Sequence, residues 1–241
     1  MATYLAIADE VERRISGQPP GTRVASEHML AAEFGVNRLT AREVLRDLER
    51  RYLVRRAQGA GTFVAERFTY RVAAGTPPSF TETLRQVGVE PRQEIIEVRT
   101  EPVPAELLRP LQLAQGDRVT IVRRLSWIDR RPVSYGASWL PADRVPDLAG
   151  HMGEQGSIYR VLRDAFGFSP VRLWCRAELT CAPPDVAVWL GLEGRPLVWH
   201  LESGNAERPG GQRLEVTRGW LRADVFRLVF ELGAVPEEER E

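Results

Sequence analysis

The sequence predicts an α+β protein with an N-terminal unit of three short helices and a β-hairpin, followed by a larger unit with an antiparallel sheet. Three amphipathic segments with clear end signals fill the first fifty residues, and two short strand patterns around a glycine-rich turn follow. Beyond residue 90, strand patterns joined by hairpin turns outnumber helical ones, which favours an antiparallel sheet with helices packed beside it. A chain of 241 residues is long enough for two such units.

Capping residues mark the three N-terminal helices. The first spans about residues 3–16 and stops before a Gly-Gln-Pro-Pro-Gly run. Ser26 can cap a second helix that ends at Gly35, and Asn37 can cap a third that runs to about Arg50. The pattern LVRRAQGAGTFVAE then indicates two strands around a turn at residues 58–61. This order predicts a helix-turn-helix with a β-hairpin wing.

The third helix combines an apolar face with a basic edge. Four apolar residues share one face at helical spacing: Ala41, Val44, Leu45 and Leu48. Although the chain has 33 basic and 33 acidic residues, seven arginines stand against three acids between Arg38 and Arg56. An arginine at the exposed start of such a helix can bind guanine or a phosphate in a major groove. The alternative is an exposed helix that its arginines keep soluble.

The second unit is predicted to begin after a linker at residues 67–77, which has few apolar residues. The expected domains are therefore residues 1–66 and 78–241. Helix patterns cover residues 79–87, 157–166 and 183–192. Strand patterns cover residues 92–99, 118–128, 133–140, 170–182, 196–203, 213–222 and 225–232.

The composition excludes several kinds of chemistry. The chain has no lysine, so neither a lysine Schiff base nor a GxxxxGK phosphate loop is possible. We find no clustered catalytic dyad, and we expect no metal site and no cofactor, because histidines are few and Cys175 and Cys181 fit one strand face as small core residues. No apolar run approaches the roughly 18 residues of a membrane span, and the N-terminus lacks a signal-peptide pattern. We therefore expect a cytoplasmic protein without enzymatic activity.

The run SEHMLAAEFGVNRLTAREVLRDLERRYLV and the wing sequence QGAGTFV agree in order and spacing with a known family. On these motifs, residues 4–64 resemble the winged helix-turn-helix domain of the GntR family of bacterial transcriptional regulators. The resemblance implies contacts with double-stranded DNA from six residues: Arg38, Thr40, Arg42, Gln58, Gly59 and Gly61. Two positions depart from the family pattern, since His28 replaces a frequent arginine and Tyr52 replaces a glycine. A non-glycine residue at position 52 costs about 1 kcal/mol if its φ is positive.

The segments SFTETLRQVG, RRLSWIDRRPVSYGASWLP and LEVTRGWLRAD, together with Ser-Ile-Tyr at 157–159, carry a second resemblance. They are similar to the UTRA domain of the HutC subfamily, which implies a chorismate-lyase-like antiparallel sheet that senses a small molecule without catalysis. The resemblance implies effector contacts from Ser79, Phe80, Thr81, Arg124, Ser157 and Glu215, which together suit a small anion. Ser79 and Ser157 also fit as ordinary helix caps, and Glu215 as a cross-strand partner of an arginine.

The sequence is compatible with more than one chemical class of effector. Relatives that bind phosphorylated amino sugars tend to have an arginine and an acid at the positions of Ser126 and Gly136. The NRLTAR motif is instead similar to a branch of the subfamily associated with phosphonate uptake genes. A phosphorylated sugar, a phosphonate and another organic acid all remain candidates.

Together these patterns predict a homodimeric regulator that represses transcription, binds a palindromic operator and is released by a small anionic metabolite. Two alternatives are left. In the first, the second unit only dimerises and the chain is a constitutive DNA-binding protein. In the second, the chain is a lyase-like enzyme fused to a DNA-binding domain.

Overall fold

The computed structural model describes residues 4–57, 59–65, 67–73, 80–86, 88–128, 130–152, 157–207 and 211–231. The chain separates by its internal contacts into two compact units, Met1–Arg67 and Phe68–Glu241. Each unit has its own hydrophobic core.

The first unit is a three-helix core with a two-stranded wing. Its elements are α1 (Tyr4–Ile15), α2 (Glu27–Phe34), α3 (Arg38–Arg50), β1 (Val54–Ala57) and β2 (Gly61–Val64). The two strands pair antiparallel, and Arg23 adds an isolated bridge to Phe63. Apolar residues from all five elements share one core, including Ile7, Leu30, Val44, Leu45, Leu48, Val54 and Val64. The predicted order of three helices and a wing is confirmed.

Capping residues set the ends of α2 and α3, as the sequence predicts. Ser26 Oγ accepts a hydrogen bond from the Met29 amide at 3.3 Å, and Asn37 Oδ1 accepts one from the Thr40 amide at 2.8 Å. Gly35 ends α2 with a φ of 64°, a left-handed conformation that glycine adopts without strain. The two caps lie close in sequence, so the turn between α2 and α3 is tight and the start of α3 is fixed.

Tyr52, just after α3, has a positive φ of 56°. A positive φ strains any residue other than glycine, so the cost of about 1 kcal/mol that was expected for such a conformation at position 52 is present. The Arg67 guanidinium lies 5.4 Å from the centroid of the Tyr52 ring. This cation–π contact offsets part of the strain.

The second unit is built on a six-stranded antiparallel sheet. Its elements are β3 (Phe68–Ala73), α4 (Phe80–Gln86), β4 (Arg92–Pro102), α5 (Ala105–Leu111), β5 (Arg118–Ile128), β6 (Arg131–Pro141), α6 (Leu148–His151), α7 (Ile158–Asp164), β7 (Pro170–Cys181), α8 (Pro184–Trp189), β8 (Leu197–Glu207), β9 (Arg213–Arg222) and β10 (Phe226–Glu231). The strand order is β4-β5-β6-β9-β8-β7. The predicted α+β class with an antiparallel sheet is confirmed.

Helices cover both faces of this sheet. Alternate residues of a strand point to opposite faces of the sheet, so residues on the two faces of β5 pack against different helices. Val122 packs in a cluster with residues of α6 and α7, whereas Leu125 packs with residues of α8. Val119, on the same face as Leu125, packs with Leu107 and Leu111 of α5.

The pairing of the first and last strands of the second unit, β3 and β10, differs from the sequence-based expectation. The segment 67–77, expected as a linker, contains β3, and β10 pairs parallel with β3 instead of joining the antiparallel sheet. Such a pairing joins the two ends of the unit, so no local pattern records it. Helices α5 and α6 were not expected either. Cys181, expected in the core, is exposed because it is the last residue of an edge strand.

An ion pair fixes the turn between β9 and β10. Arg222 donates from Nε and Nη2 to the two Asp224 carboxylate oxygens at 3.0 and 2.9 Å, and Arg131 contacts the same carboxylate. Burial acts to raise the pKa of Asp224, but the hydrogen bonds from Arg222 and the charges of both arginines outweigh it and lower the pKa. Arg222 also donates to the Leu190 carbonyl at 3.0 Å, which ties the end of α8 to this turn.

Candidate DNA-binding surface and effector cavity

The N-terminal turn of α3 presents the predicted DNA-contacting residues. Asn37 Oδ1 accepts from both the amide and the hydroxyl of Thr40, at 2.8 and 3.1 Å, so Thr40 is held against the cap. Arg38 is exposed, and Arg42 is half-buried with its Nε bonded to Glu27 of α2 at 3.2 Å. The buried face of α3 faces the core of the unit, which leaves Arg38 and Arg42 at the surface.

The wing turn uses two glycines in conformations that favour glycine. Gly59 has a φ of 73° and Gly61 a φ of 125°. A Cβ at Gly61 would lie 3.2 Å from Nε of Arg23, whereas one at Gly59 would meet no neighbour within 4 Å among the described residues. The backbone at Gly59 is therefore open to a close approach. Gln58 lies outside the described residues.

A cavity of about 100 Å³ lies in the second unit, against the face of the sheet that carries Arg124. Residues of β3, α4 and α7 line it, together with strands β4 to β9. It brings together four of the six predicted effector contacts: Phe80, Thr81, Arg124 and Ser157. Ser79 lies outside the described residues, and Glu215 does not line the cavity.

Two arginines supply positive charge to this cavity. Arg124 donates from Nη2 to Ser138 Oγ at 2.7 Å, and Arg172 donates from Nη1 to the Ala73 carbonyl at 3.5 Å. Among the described residues, neither arginine has a carboxylate within 4 Å, and the Arg172 Nε is buried without a hydrogen-bond partner. Arg218 also lines the cavity but is paired with Glu202 at 2.9 Å.

Two tyrosine hydroxyls add to the polar lining. Burial raises the pKa of Tyr70, while the positive charge of Arg172 acts in the opposite direction. Burial and the charge of Glu215 raise the pKa of Tyr159 well above its usual value, against the influence of Arg124 and Arg172. Both phenols therefore stay protonated near neutral pH and can donate a hydrogen bond into the cavity.

Glu215 lies behind the cavity wall. It is only 1% exposed, and its Oε2 accepts from Asn205 Nδ2 at 2.7 Å. The same amide nitrogen donates to the Tyr159 hydroxyl at 3.1 Å, so Glu215 is linked through Asn205 to a residue that lines the cavity. Glu215 Oε1 and Asn205 Oδ1 are buried without a partner among the described residues.

Sequence reasoning missed Arg172 and Tyr70. Tyr70 was assigned to the linker, and Arg172 was one of many arginines in strand patterns. The structure puts Arg172 opposite Asn205, and a register shift between Arg172 and Trp174 sets which face its side chain takes. Gly136 also lines the cavity, where a Cβ would lie 2.8 Å from the Arg218 carbonyl oxygen.

The described residues hold no cluster of three histidine, cysteine or acidic side chains that would bind a metal ion. Among the helices that the structure describes, none is both long and apolar enough to cross a membrane.

Comparison with known proteins accounts for both units. Residues 3–64 match the family described as bacterial regulatory proteins, gntR family, and residues 86–227 match the UTRA domain, which covers more than half of the chain. The chain belongs to the GntR family. Its pairing of a GntR helix-turn-helix with a UTRA domain is that of the HutC subfamily. It is therefore a transcriptional regulator with an effector-binding domain, and not an enzyme.

Individual relatives are also named as transcriptional regulators or repressors. An uncharacterised HTH-type transcriptional regulator of Rhizobium meliloti is 30% identical over 96% of this chain and 95% of its own length. The mannosyl-D-glycerate transport/metabolism system repressor of Escherichia coli is 32% identical over 65% of each chain. A probable fructoselysine utilization operon transcriptional repressor of Escherichia coli is 27% identical over 73% of this chain and 72% of its own.

Solved GntR structures share the fold. PhnF from Mycobacterium smegmatis superposes with a TM-score of 0.67 at 23% identity, over 95% of this chain and 100% of its own. The ligand-binding domain of a GntR-family regulator from Bordetella bronchiseptica superposes with a TM-score of 0.56 at 26% identity, over 59% of this chain and 92% of its own.

Proposed function

We propose that this GntR regulator is a homodimeric repressor of the bacterial cytoplasm that binds a palindromic operator and is released by a small anionic metabolite. Two copies related by two-fold symmetry would present two α3 helices to successive major grooves, with half-sites about one helical turn apart. The proposed DNA contacts are Arg38, Thr40, Arg42, Gln58, Gly59 and Gly61. The proposed effector contacts are Ser79, Phe80, Thr81, Arg124 and Ser157, with Arg172 added. Glu215 would act from behind the cavity wall, through Asn205 and Tyr159.

The DNA-binding part of the proposal is supported by charge and exposure at the start of α3. Arg38 is exposed at the first helical residue, and the half-buried Arg42 lies one turn further on. The N-terminus of a helix also favours the anionic backbone of DNA through its free amide groups and its dipole. Two relatives named as repressors support repression as the direction of control.

The effector part rests on one observation, which is that Arg124 and Arg172 line the same cavity without a carboxylate partner among the described residues. A guanidinium that is partly removed from water is costly unless an anion or several acceptors compensate it. A bound carboxylate, phosphate or phosphonate would supply that compensation through charge-assisted hydrogen bonds. Thr81, Ser157 and the Tyr70 hydroxyl add neutral donors around the same space.

The rest of the effector is expected to carry hydrogen-bond donors such as hydroxyl groups. The hydroxyl groups of Ser134 and Ser203 line the cavity and can accept hydrogen bonds from such groups. Mannosyl-D-glycerate, named for the Escherichia coli relative, combines a carboxylate with several hydroxyls. An anionic sugar derivative, a phosphonate or another hydroxylated organic acid is thus the class that we propose.

Release would follow from a population shift. A ligand changes operator affinity only if it binds one arrangement of the dimer more tightly than the other. The effector would favour an arrangement in which the two α3 helices no longer match the spacing of the half-sites.

Thermal unfolding of the full-length protein tests the proposal. The panel contains phosphorylated sugars, phosphonates, hydroxylated organic acids, amino acids and inorganic phosphate, and a compound at 100 times its dissociation constant adds about 2.7 kcal/mol to stability. We expect one anionic class to raise the melting temperature and to lower affinity for an operator selected from random duplexes. If no compound shifts the melting temperature while DNA still binds, the constitutive DNA-binding alternative is favoured.

A further inference from the structure

Glu27 joins two arginines that belong to different parts of the DNA-binding surface. It is the first residue of α2, and its Oε1 and Oε2 accept from Nε of Arg42 in α3 at 3.2 and 3.4 Å. Its Oε1 also lies 3.7 Å from Nη1 of Arg56 in wing strand β1. Arg56 donates from Nη2 to the Arg42 carbonyl at 3.4 Å. Arg56 also pairs with Glu49 of α3 at 3.4 Å, so Glu27 is one of two carboxylates that tie α3 to the base of the wing.

The contact occupies only the inner edge of the Arg42 guanidinium. Within the described residues, Arg42 uses Nε alone, so both of its terminal nitrogens are left for a two-point bond to guanine or to a phosphate. The Arg42 side chain is 43% exposed and that of Glu27 is 21% exposed, so the carboxylate is the more sheltered partner. A guanidinium held in this way loses less rotamer freedom on binding than a free one.

We propose that Glu27 is a positioning residue for sequence recognition, which aligns Arg42 for base contact and couples its position to Arg56 and the wing. This inference rests on the proposed role of Arg42 in DNA binding. The Glu27 carboxylate is already engaged by Arg42 and Arg56, so the role that we propose is indirect.

Two simpler roles for Glu27 predict different results. If Glu27 only adds negative charge, its removal strengthens binding to every duplex alike. If Glu27 only supports the N-terminus of α2, its removal lowers the stability of the first unit without changing sequence preference. A positioning role predicts weaker binding to the preferred sequence and no loss of binding to other sequences.

The experiment begins with the full-length wild-type protein, which selects its preferred sequence from a library of random duplexes. Affinities for the selected duplex and for a scrambled duplex are then measured by fluorescence anisotropy at one salt concentration. We expect Glu27→Gln to bind the selected duplex about tenfold more weakly and the scrambled duplex at least as tightly as wild type. Glu33→Gln is the matched control, since Glu33 also lies in α2 and pairs with Arg14 of α1.

Two further variants separate positioning from folding and from charge. Glu27→Asp keeps the charge at the start of α2 but shortens the side chain, so it should lose specificity like Glu27→Gln while its melting temperature stays at the wild-type value. In an Arg42→Ala background, Glu27→Gln should no longer weaken binding to the selected duplex, because the residue that it positions is gone.

The outcomes are distinct. Tighter binding of Glu27→Gln to both duplexes, wild-type specificity in Glu27→Asp, or an undiminished effect in the Arg42→Ala background would each overturn the positioning role. Failure of the wild-type protein to enrich any sequence would instead overturn the proposed DNA-binding function.

Discussion

Replacing Gly136 with alanine should destabilise the second unit, whereas the same change at its cross-strand partner Gly219 should not. Gly136 in β6 and Gly219 in β9 lie directly opposite one another in the antiparallel ladder. A Cβ at position 136 would lie 2.8 Å from the Arg218 carbonyl oxygen and 3.0 Å from the Gly219 Cα. A Cβ at position 219 would have the Tyr135 carbonyl oxygen, at 3.8 Å, as its nearest neighbour. The two substitutions are chemically identical and differ in the space available.

The expected loss follows from this overlap. An ordinary carbon–oxygen contact is about 3.3 Å or longer, so β6 and β9 must separate locally to admit the methyl group at position 136. Overpacking of this kind costs about 1–3 kcal/mol. For a unit of this size, 1 kcal/mol lowers the melting temperature by about 2–4 °C, so Gly136→Ala should melt about 2–12 °C lower than wild type. Gly219→Ala should change stability by no more than about 0.5 kcal/mol.

Tryptophan fluorescence gives a reading of the second unit alone, because all six tryptophans lie between positions 127 and 220. Thermal unfolding of wild type and both variants is followed in this signal. Equal shifts for the two variants, or an unchanged melting temperature in Gly136→Ala, would refute the steric reasoning. Since Gly136 also lines the cavity, Gly136→Ala should weaken stabilisation by any compound that binds there.

Three other predictions concern binding and pH. Arg42→Ala should weaken operator binding by about 1–3 kcal/mol, and unchanged anisotropy curves would remove α3 from its proposed role. Arg124→Met and Arg172→Met should each abolish most of the thermal stabilisation by an anionic effector, whereas Arg163→Met, on the exposed end of α7, should leave it intact; equal stabilisation in all three would exclude the cavity as the anion site. Asp224→Asn should destabilise the second unit at neutral pH. The pKa of Asp224 is lowered in the folded protein, so the stability that it contributes is present above its ordinary value of 3.8 and is lost as the pH falls through the folded value. Urea unfolding should show wild type and Asp224→Asn converging in strongly acidic solution, and a constant difference across pH would contradict this assignment.

Local signals predicted the first unit well. A serine, an asparagine and a glycine mark the ends of α2 and α3, and their side chains or dihedral angles act on residues at most four positions away. Helical spacing likewise identified the buried face of α3, which left the arginines on its outer side. The bond from Glu27 to Arg42 joins two helices and could not be inferred from spacing alone.

In the second unit, hairpins joined by short turns were predictable, but the cavity was only partly so. The positions of Phe80, Thr81, Arg124 and Ser157 came from resemblance to a family, and the structure brings them to one space. Tyr70 and Arg172 were missed because each reaches the cavity through long-range pairing. Tyr70 depends on the parallel contact of β3 with β10, and Arg172 on the irregular register of β7 with β8.

By itself, the amino-acid sequence determined the class of each unit, the caps and basic edge of α3, and the exclusion of lysine chemistry, because these depend on composition or on neighbours within one helical turn or hairpin. Only the tertiary structure decided which arginines share a cavity, why Gly136 must lack a side chain, and which carboxylate holds Arg42. Arg42 is held because α2 packs against α3 and brings Glu27 within hydrogen-bond distance. For the cavity and for Gly136 the physical reason is strand register, since a shift of one residue turns a side chain to the opposite face of the sheet. That register is fixed by packing among segments far apart in the chain.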